Sequence, residues 1–339
     1  MRRGEAAGFG LPIAASLLVI CIIVAFAIGR FPISLPELFQ FLLSKLTGVP
    51  SGLSPTIETV ILQIRGPRIL AAVLTGSALA VAGTAFQGLF RNPLVSPDIL
   101  GASSGAALGA VLGIFFSLDV IAIQAMAFAG GVAAVAAVYF IGSILRGSDT
   151  ILSLVLTGVV VGSLLGACVG LVKYLADPYN QLPAITFWLL GSLSAVTPHD
   201  LVALAIPVLI GSLVLIAMRW RMNEMSLSEE EARSLGVPTH LIRATVITAA
   251  TLVTSATVSV AGIIGWVGLV VPHLARFLVG PAFPRLLPTA MVLGGCYLLI
   301  IDTLARSMAL VEIPLGILTA VVGTPFFIAV LREAHRSWS

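Results

Sequence analysis

The residues able to do acid–base, nucleophilic or metal chemistry are few, and they stand apart. His199, His240, His273 and His335 lie singly near the ends of apolar runs, and Cys21, Cys168 and Cys296 each sit within such a run, too far apart for a metal motif. The histidines read as interface residues and the cysteines as small packing residues. There is no G-x-x-x-x-G-K-[ST], and Gly-Lys never occurs as a dipeptide, so the chain has no Walker loop to cradle nucleotide phosphates. H-E-x-x-H is absent as well. Asp302 and Arg306 stand four residues apart, the spacing that sets two side chains side by side on a helix.

The elements that hold these residues are membrane spans. Apolar residues make up 58% of the 339 positions and charged residues 10%, against roughly 45–50% and about 25% in a soluble domain. The mean hydropathy is +1.11. This predicts an all-α, polytopic membrane protein, a single transmembrane domain over 1–339. Gly, Pro and charge clusters mark spans near 11–29, 68–90, 98–116, 122–145, 151–173, 200–218, 241–262, 289–306 and 310–331. A tenth, short span is expected between 263 and 288. Parity requires it, because Arg2-Arg3 and the tail with Arg332 and Arg336 should both lie in the cytoplasm. On that topology eleven Lys and Arg fall inside and six outside, with Arg276 unassigned. The apolar stretch from Leu11 to Ile28 is too long for a signal h-region and no A-x-A-like site follows, so it reads as a retained first helix. The net charge of +3 is spread between apolar segments, which argues against nucleic acid as a partner.

Two connections are long enough for structure of their own. The outer one, 31–67, carries Pro32, Pro36, Pro50 and Pro55 around an amphipathic stretch from Pro36 to Leu43, expected to lie against the bundle at the membrane surface. The inner one, 219–243, carries a capping box, Ser228-Glu229-Glu230-Glu231, and a stop at Gly236 and Pro238. It predicts a short helix, either an ordinary surface helix or a docking element. Ala71, Thr75, Val81-Ala82-Gly83, Pro93 and Gly101 recur at an offset of 179 as Ala250, Thr254, Val260-Ala261-Gly262, Pro272 and Gly280. Five spans separate the copies, which predicts an inverted repeat. Mid-span ionisable residues, the mark of ion-coupled carriers, are almost lacking, so the energy for transport should come from elsewhere. Gly, Ala, Ser and Thr within the spans suit close helix packing or a wide, bland passage.

Arg65-Gly66-Pro67-Arg68-Ile69-Leu70, Gln87, Arg91-Asn92-Pro93-Leu94, Phe187-Trp188-Leu189-Leu190-Gly191-Ser192, Glu231-Ala232-Arg233-Ser234-Leu235-Gly236, Gly265 to His273 and Ile313-Pro314-Leu315-Gly316 occur in one order. Together they resemble the iron-chelate and cobalamin permease family, the membrane subunits of type II ABC importers. The resemblance implies a homodimer of ten-helix subunits in the cell membrane, both termini cytoplasmic. It implies two cytoplasmic ATPase subunits, which would hold the ATP and magnesium, this chain binding no cofactor. An outside binding protein would deliver an iron-siderophore, haem or cobalamin, or an oxyanion such as molybdate. Ser228 and Glu231 to Gly236 match the family's coupling helix. Arg65, Arg68 and Arg306 match arginines that receive the binding protein's carboxylates, with Asp302 expected to hold Arg306. By position, Asp149 and Thr150 would lie at the inner gate and Ser153, Leu154 and Thr157 along the passage. Gln87, Asn92 and Pro93 match the family pattern too, and Gln87 and Asn92 are expected to cap and pin the second span.

Overall fold

A computed structural model describes residues 9–29, 31–144, 150–227 and 229–336. The expectations placed on Asp149 and Ser228, and on the side chains of Thr150 and Arg233, fall outside what it describes. In hydrocarbon the backbone must satisfy itself, and long apolar runs therefore become helices. In chain order these are α1 (Gly10–Ala27), α2 (Leu35–Thr47), α3 (Pro55–Leu89), α4 (Ala102–Phe115), α5 (Val120–Ile144), α6 (Thr150–Leu175), α7 (Gln181–Leu190), α8 (Pro198–Glu224), α9 (Glu229–Ser234), α10 (Thr239–Ala261), α11 (Val267–Val279), α12 (Phe283–Ser307) and α13 (Leu315–Arg336). Among the described residues seven, α1, α3, α5, α6, α8, α10 and α12, are long and apolar enough to cross a membrane. The apolar parts of α4, α7, α11 and α13 are shorter.

Several boundaries differ from the sequence expectation. The second span begins at Pro55, where the Ser54 hydroxyl accepts from Ile57 N at 3.4 Å. A π turn over Val60–Arg65 absorbs Pro67, whose ring nitrogen cannot donate, and the Gly66 N–H closes that turn on Ile61 O. The outer loop is therefore shorter than 31–67, since 55–67 belong to α3. Inside the remaining loop, α2 opens on a capping box between Ser34 and Glu37 and ends at Gly48 with φ +72°. Hydrogen bonds from Ser34 hold the Glu37 carboxyl below its usual range. Leu38 and Phe41 of α2 pack near Phe26 and Ile61, leaving Phe39 and Leu46 exposed. The third span is broken at Gly101, φ +79°, into a 3-10 turn over Pro97–Leu100 and α4. Its 14 residues reach about 21 Å, short of a full hydrocarbon core.

A helix of 13 residues, α11, lies where the short tenth span is expected between 263 and 288, and α12 starts at Phe283 instead of 289 because Asn223 Oδ1 accepts its N–H at 3.0 Å and Pro284 fits the first turn. The final helix runs Leu315–Arg336 instead of 310–331, so 308–314 form a loop. The sequence reading marked no element over α7. It carries the Phe187–Leu190 motif and stops at Gly191, φ +73°, whose carbonyl accepts from Leu315 N at 3.0 Å while Ser192 N donates to Ala261 O at 2.8 Å.

The most buried helix is α3, with 83% of its apolar window inside the subunit, followed by α10 and α12; α6 is only 11% buried. The bundle is thus a core of α3, α10 and α12 with an apolar skirt. Antiparallel α3 and α12 meet where Gly76 and Gly294 face each other, and a Cβ on either would run into the other's carbonyl. The two repeat copies agree along the helix body: Ala71, Ala250, Thr75 and Thr254 are all buried. They part at the ends, since Gly83 lies within α3 against Gly268 whereas Gly262, φ +69°, terminates α10. Cys21 and Cys296, unrelated in sequence, bring their thiols into contact between α1 and α12.

Candidate functional site

Charged and polar side chains gather at the two ends of the bundle. At one end α1 finishes, α3 passes its π turn and α12 finishes. Arg68 lies between two carboxylates. It donates from Nε and Nη2 to Asp302 Oδ1 at 3.0 and 2.9 Å, and from Nη1 and Nη2 to Glu312 at 2.9 Å each. Asp302 is fully buried, and Arg306 stands 3.8 Å from it by Nε. Asp302, expected to hold Arg306, also takes shorter bonds from Arg68, 234 residues away in sequence. Arg306 turns to the end of α1 and donates to Ala25 O, while Arg65 donates to Phe26 O and Phe31 O. Two guanidinium groups thus satisfy carbonyls that α1 leaves unbonded and offset the negative end of its dipole. Three arginines face two carboxylates, leaving one positive charge in the cluster. Arg65 and Arg306 are nearly buried, at 6% and 8% exposure.

At the opposite end, α3 terminates in a Schellman turn with Asn92 N bonded to Gln87 O at 3.1 Å and Arg91 in the left-handed conformation, φ +49°. Asn92 Oδ1 accepts from Leu94 N at 2.9 Å and caps the turn. Buried Gln87 donates to Gly268 O at 3.3 Å and accepts from Arg276 Nη1 at 2.6 Å, so it ties α3 to α11. Pro93 O lies 3.1 Å from His273 Nε2. Arg91 Nε donates to Met225 O at 2.9 Å, fixing the start of the loop that carries α9. That helix spans Glu229–Ser234 and closes as the sequence implies: Gly236 has φ +75°, and Val237 N bonds Ala232 O at 3.0 Å. Ala232 is fully buried, whereas Glu231, Leu235 and Gly236 are exposed, Leu235 at 68%. A short helix anchored by alanine thus presents a large apolar side chain outward, an arrangement suited to docking.

The positions expected along a passage are not open. Leu154 and Thr157 turn into the subunit, and the Ser153 hydroxyl donates to Gly142 O at 3.2 Å. The physical reason is close packing. Gly142 admits Leu154 against α5, and Gly158 admits the backbone of Ile99. The exposed face of α6 is the other one, with Leu152, Leu156, Val159, Val160 and Leu164. Sequence reasoning also missed Glu312, whose pairing with Arg68 depends on a loop seen only in three dimensions. Among the described residues no group of His, Cys, Asp and Glu could hold a metal ion.

With this geometry in view, comparison with known proteins is informative. Residues 17–333 match the FecCD transport family. The chain is 40% identical to the molybdate import system permease protein MolB of Haemophilus influenzae over 97% of this chain and 96% of that one. It is 38% identical to the hemin transport system permease protein HmuU of Yersinia pestis, covering 81% of this chain and 84% of the other. A solved chain described as an inward-facing metal-chelate type ABC transporter superposes with a TM-score of 0.86 at 37% identity, covering 95% of this chain and 98% of that one.

Proposed function

Because the chain belongs to the FecCD transport family and is the permease subunit of an ABC importer, we propose that it passes a bulky metal chelate, of the iron-siderophore, haem or cobalamin class, handed over by an outside binding protein. A second reading, molybdate, is favoured by the 40% identity to MolB along nearly the whole chain. The single observation that carries the mechanism is the contrast between the bundle's ends: the helix α9 with Leu235 exposed at one, and the arginine cluster at the other. Ten crossings are counted by adding α4, α11 and α13 to the seven long helices and leaving α7 as a half-helix. The arginine end then faces outside, and α9, like both termini, lies in the cytoplasm of a cell-membrane protein.

On this reading two copies form the passage between them, and the exposed apolar face of α6 lines it. Each copy seats an ATPase subunit on α9, through Leu235 and the acidic first turn, so that closure of the ATPases rocks the bundle. ATP and magnesium stay on those subunits. This chain makes and breaks no bonds. Its contribution is a wall without mid-span charge, which neither traps an anionic chelate nor couples it to protons. At the outside, Arg68 is already engaged, and a carboxylate of the binding protein would compete with Glu312, the more exposed of its two partners. Asp302 keeps the guanidinium in place during that exchange. The solute assignment is tested by uptake into vesicles holding the chain with its ATPase and binding protein. Labelled ferric siderophore, haem, cobalamin and molybdate are offered separately. Accumulation of one of the chelates is expected, and accumulation of molybdate alone would replace the first reading with the second.

A further inference from the structure

Between the ends of α3 and α11 and the loop before α9 lies a cavity of about 330 Å³, bordered by Arg91, Ser226, His273, Arg276, Pro281 and Phe283. Among the described residues, neither arginine meets a carboxylate. Arg91 is bonded to a backbone carbonyl and Arg276 to the amide oxygen of Gln87, so both full positive charges face the same space. His273 adds a ring nitrogen beside them. Arg91 moreover stands at φ +49°, a helix-terminal position that favours glycine. An arginine there is strained by about 1 kcal/mol, which fits a side chain kept for what it reaches. Next in the chain to lining residues Arg276 and Pro93 stand two exposed apolar side chains, Phe277 at 72% and Leu94 at 53%. Two cations without a carboxylate partner, close in the chain to exposed apolar side chains at the end of a membrane bundle, match a phosphate group carried on acyl chains.

We propose that this cavity binds the headgroup phosphate of an anionic phospholipid, phosphatidylglycerol or a relative, whose tails lie along Phe277. Arg91 and Arg276 hold the phosphate, and because Arg91 also fixes Met225 O, the lipid sits directly beside the loop leading to α9. A free anion would satisfy the arginines but leave Phe277 and Leu94 uncovered. An acidic side chain of a partner would do the same. The inference is independent of which solute is carried.

The test is native mass spectrometry of the full chain purified in detergent and titrated with dioleoylphosphatidylglycerol or dioleoylphosphatidylcholine. The anionic lipid should be retained at least about tenfold more tightly, the worth of one lost charge-assisted hydrogen bond. Arg276→Gln should reduce that preference. So should Ser226→Asp, which places a negative charge at an exposed position of the rim and leaves the Gln87–Arg276 bond intact. Equal retention of the two lipids, or an unchanged preference in Ser226→Asp with unaltered elution, would overturn the proposal. Displacement of the lipid by millimolar inorganic phosphate would give the pocket to a free anion. Displacement by the ATPase subunits would give it to a protein carboxylate.

Discussion

Asp302 decides the state of the arginine cluster. It is fully buried and is the group that Arg68 and Arg306 share. Removing one member of a buried ion network leaves an unpaired charge in a low dielectric, which costs more than the pair contributes. Asp302→Ala should lower stability by about 3 kcal/mol, read as a fall in thermal midpoint in detergent, and an unchanged midpoint would show that Glu312 alone suffices. Glu312→Gln should act differently. It spares Asp302 but removes the competitor for an incoming carboxylate, so binding-protein affinity should rise several-fold in a surface-binding assay; a fall would mean that Glu312 itself takes part in docking. The sequence placed Asp302 and Arg306 together because i and i+4 neighbours need only a helix. It left out Arg68 and Glu312 as Asp302's and Arg68's partners, since contacts between distant segments depend on helix register that periodicity does not encode. Ser153, Leu154 and Thr157 illustrate the same limit. The apolar run of α6 is equally hydrophobic all round, so no polar stripe marked which face turned inward, and Gly142 and Gly158 settled it.

Among the elements, those with their own start and stop chemistry were the most legible. Gly236 ends α9 in the left-handed conformation, as its position after the last periodic residue implies. The elements that were misplaced are those in which helix signals conflict. Gly66-Pro67 reads as a breaker, yet the π turn carries α3 through it; Gly101 lies in an apolar run, yet its positive φ breaks the third span. The half-helix α7 escaped because ten residues between two turns give too little periodicity. If α9 is the coupling element, its exposed Leu235 can be changed without disturbing the buried Ala232. Leu235→Glu should therefore leave the subunit folded and the ATPases bound or weakened, while uptake per ATP hydrolysed falls by about tenfold or more, the effect of about 1.4 kcal/mol of lost coupling. Normal uptake in reconstituted vesicles would remove α9 from that role.

For the whole molecule, composition alone announced a membrane bundle, and the burial pattern explains how it is divided. Small residues let α3 close on α12 through Gly76 and Gly294 and on α11 through Gly83 and Gly268, while Leu- and Val-rich faces of α6 and α8 remain outside. Such faces are stable only against lipid or a second copy. The shortage of charge within the spans has the same consequence at this scale as in the sequence: the described ion pairs lie at the helix ends, and among the described residues ionisable side chains in mid-span are almost lacking. Movement of the bundle must be imposed from outside it. The measurement that bears most directly on this is solute uptake into proteoliposomes containing the chain with its ATPase and binding protein, compared with and without internal ATP and with and without a protonophore. Uptake should require ATP and both partners and should be indifferent to the protonophore. Uptake by the chain alone that the protonophore abolishes would contradict the account and make this bundle an ion-coupled carrier.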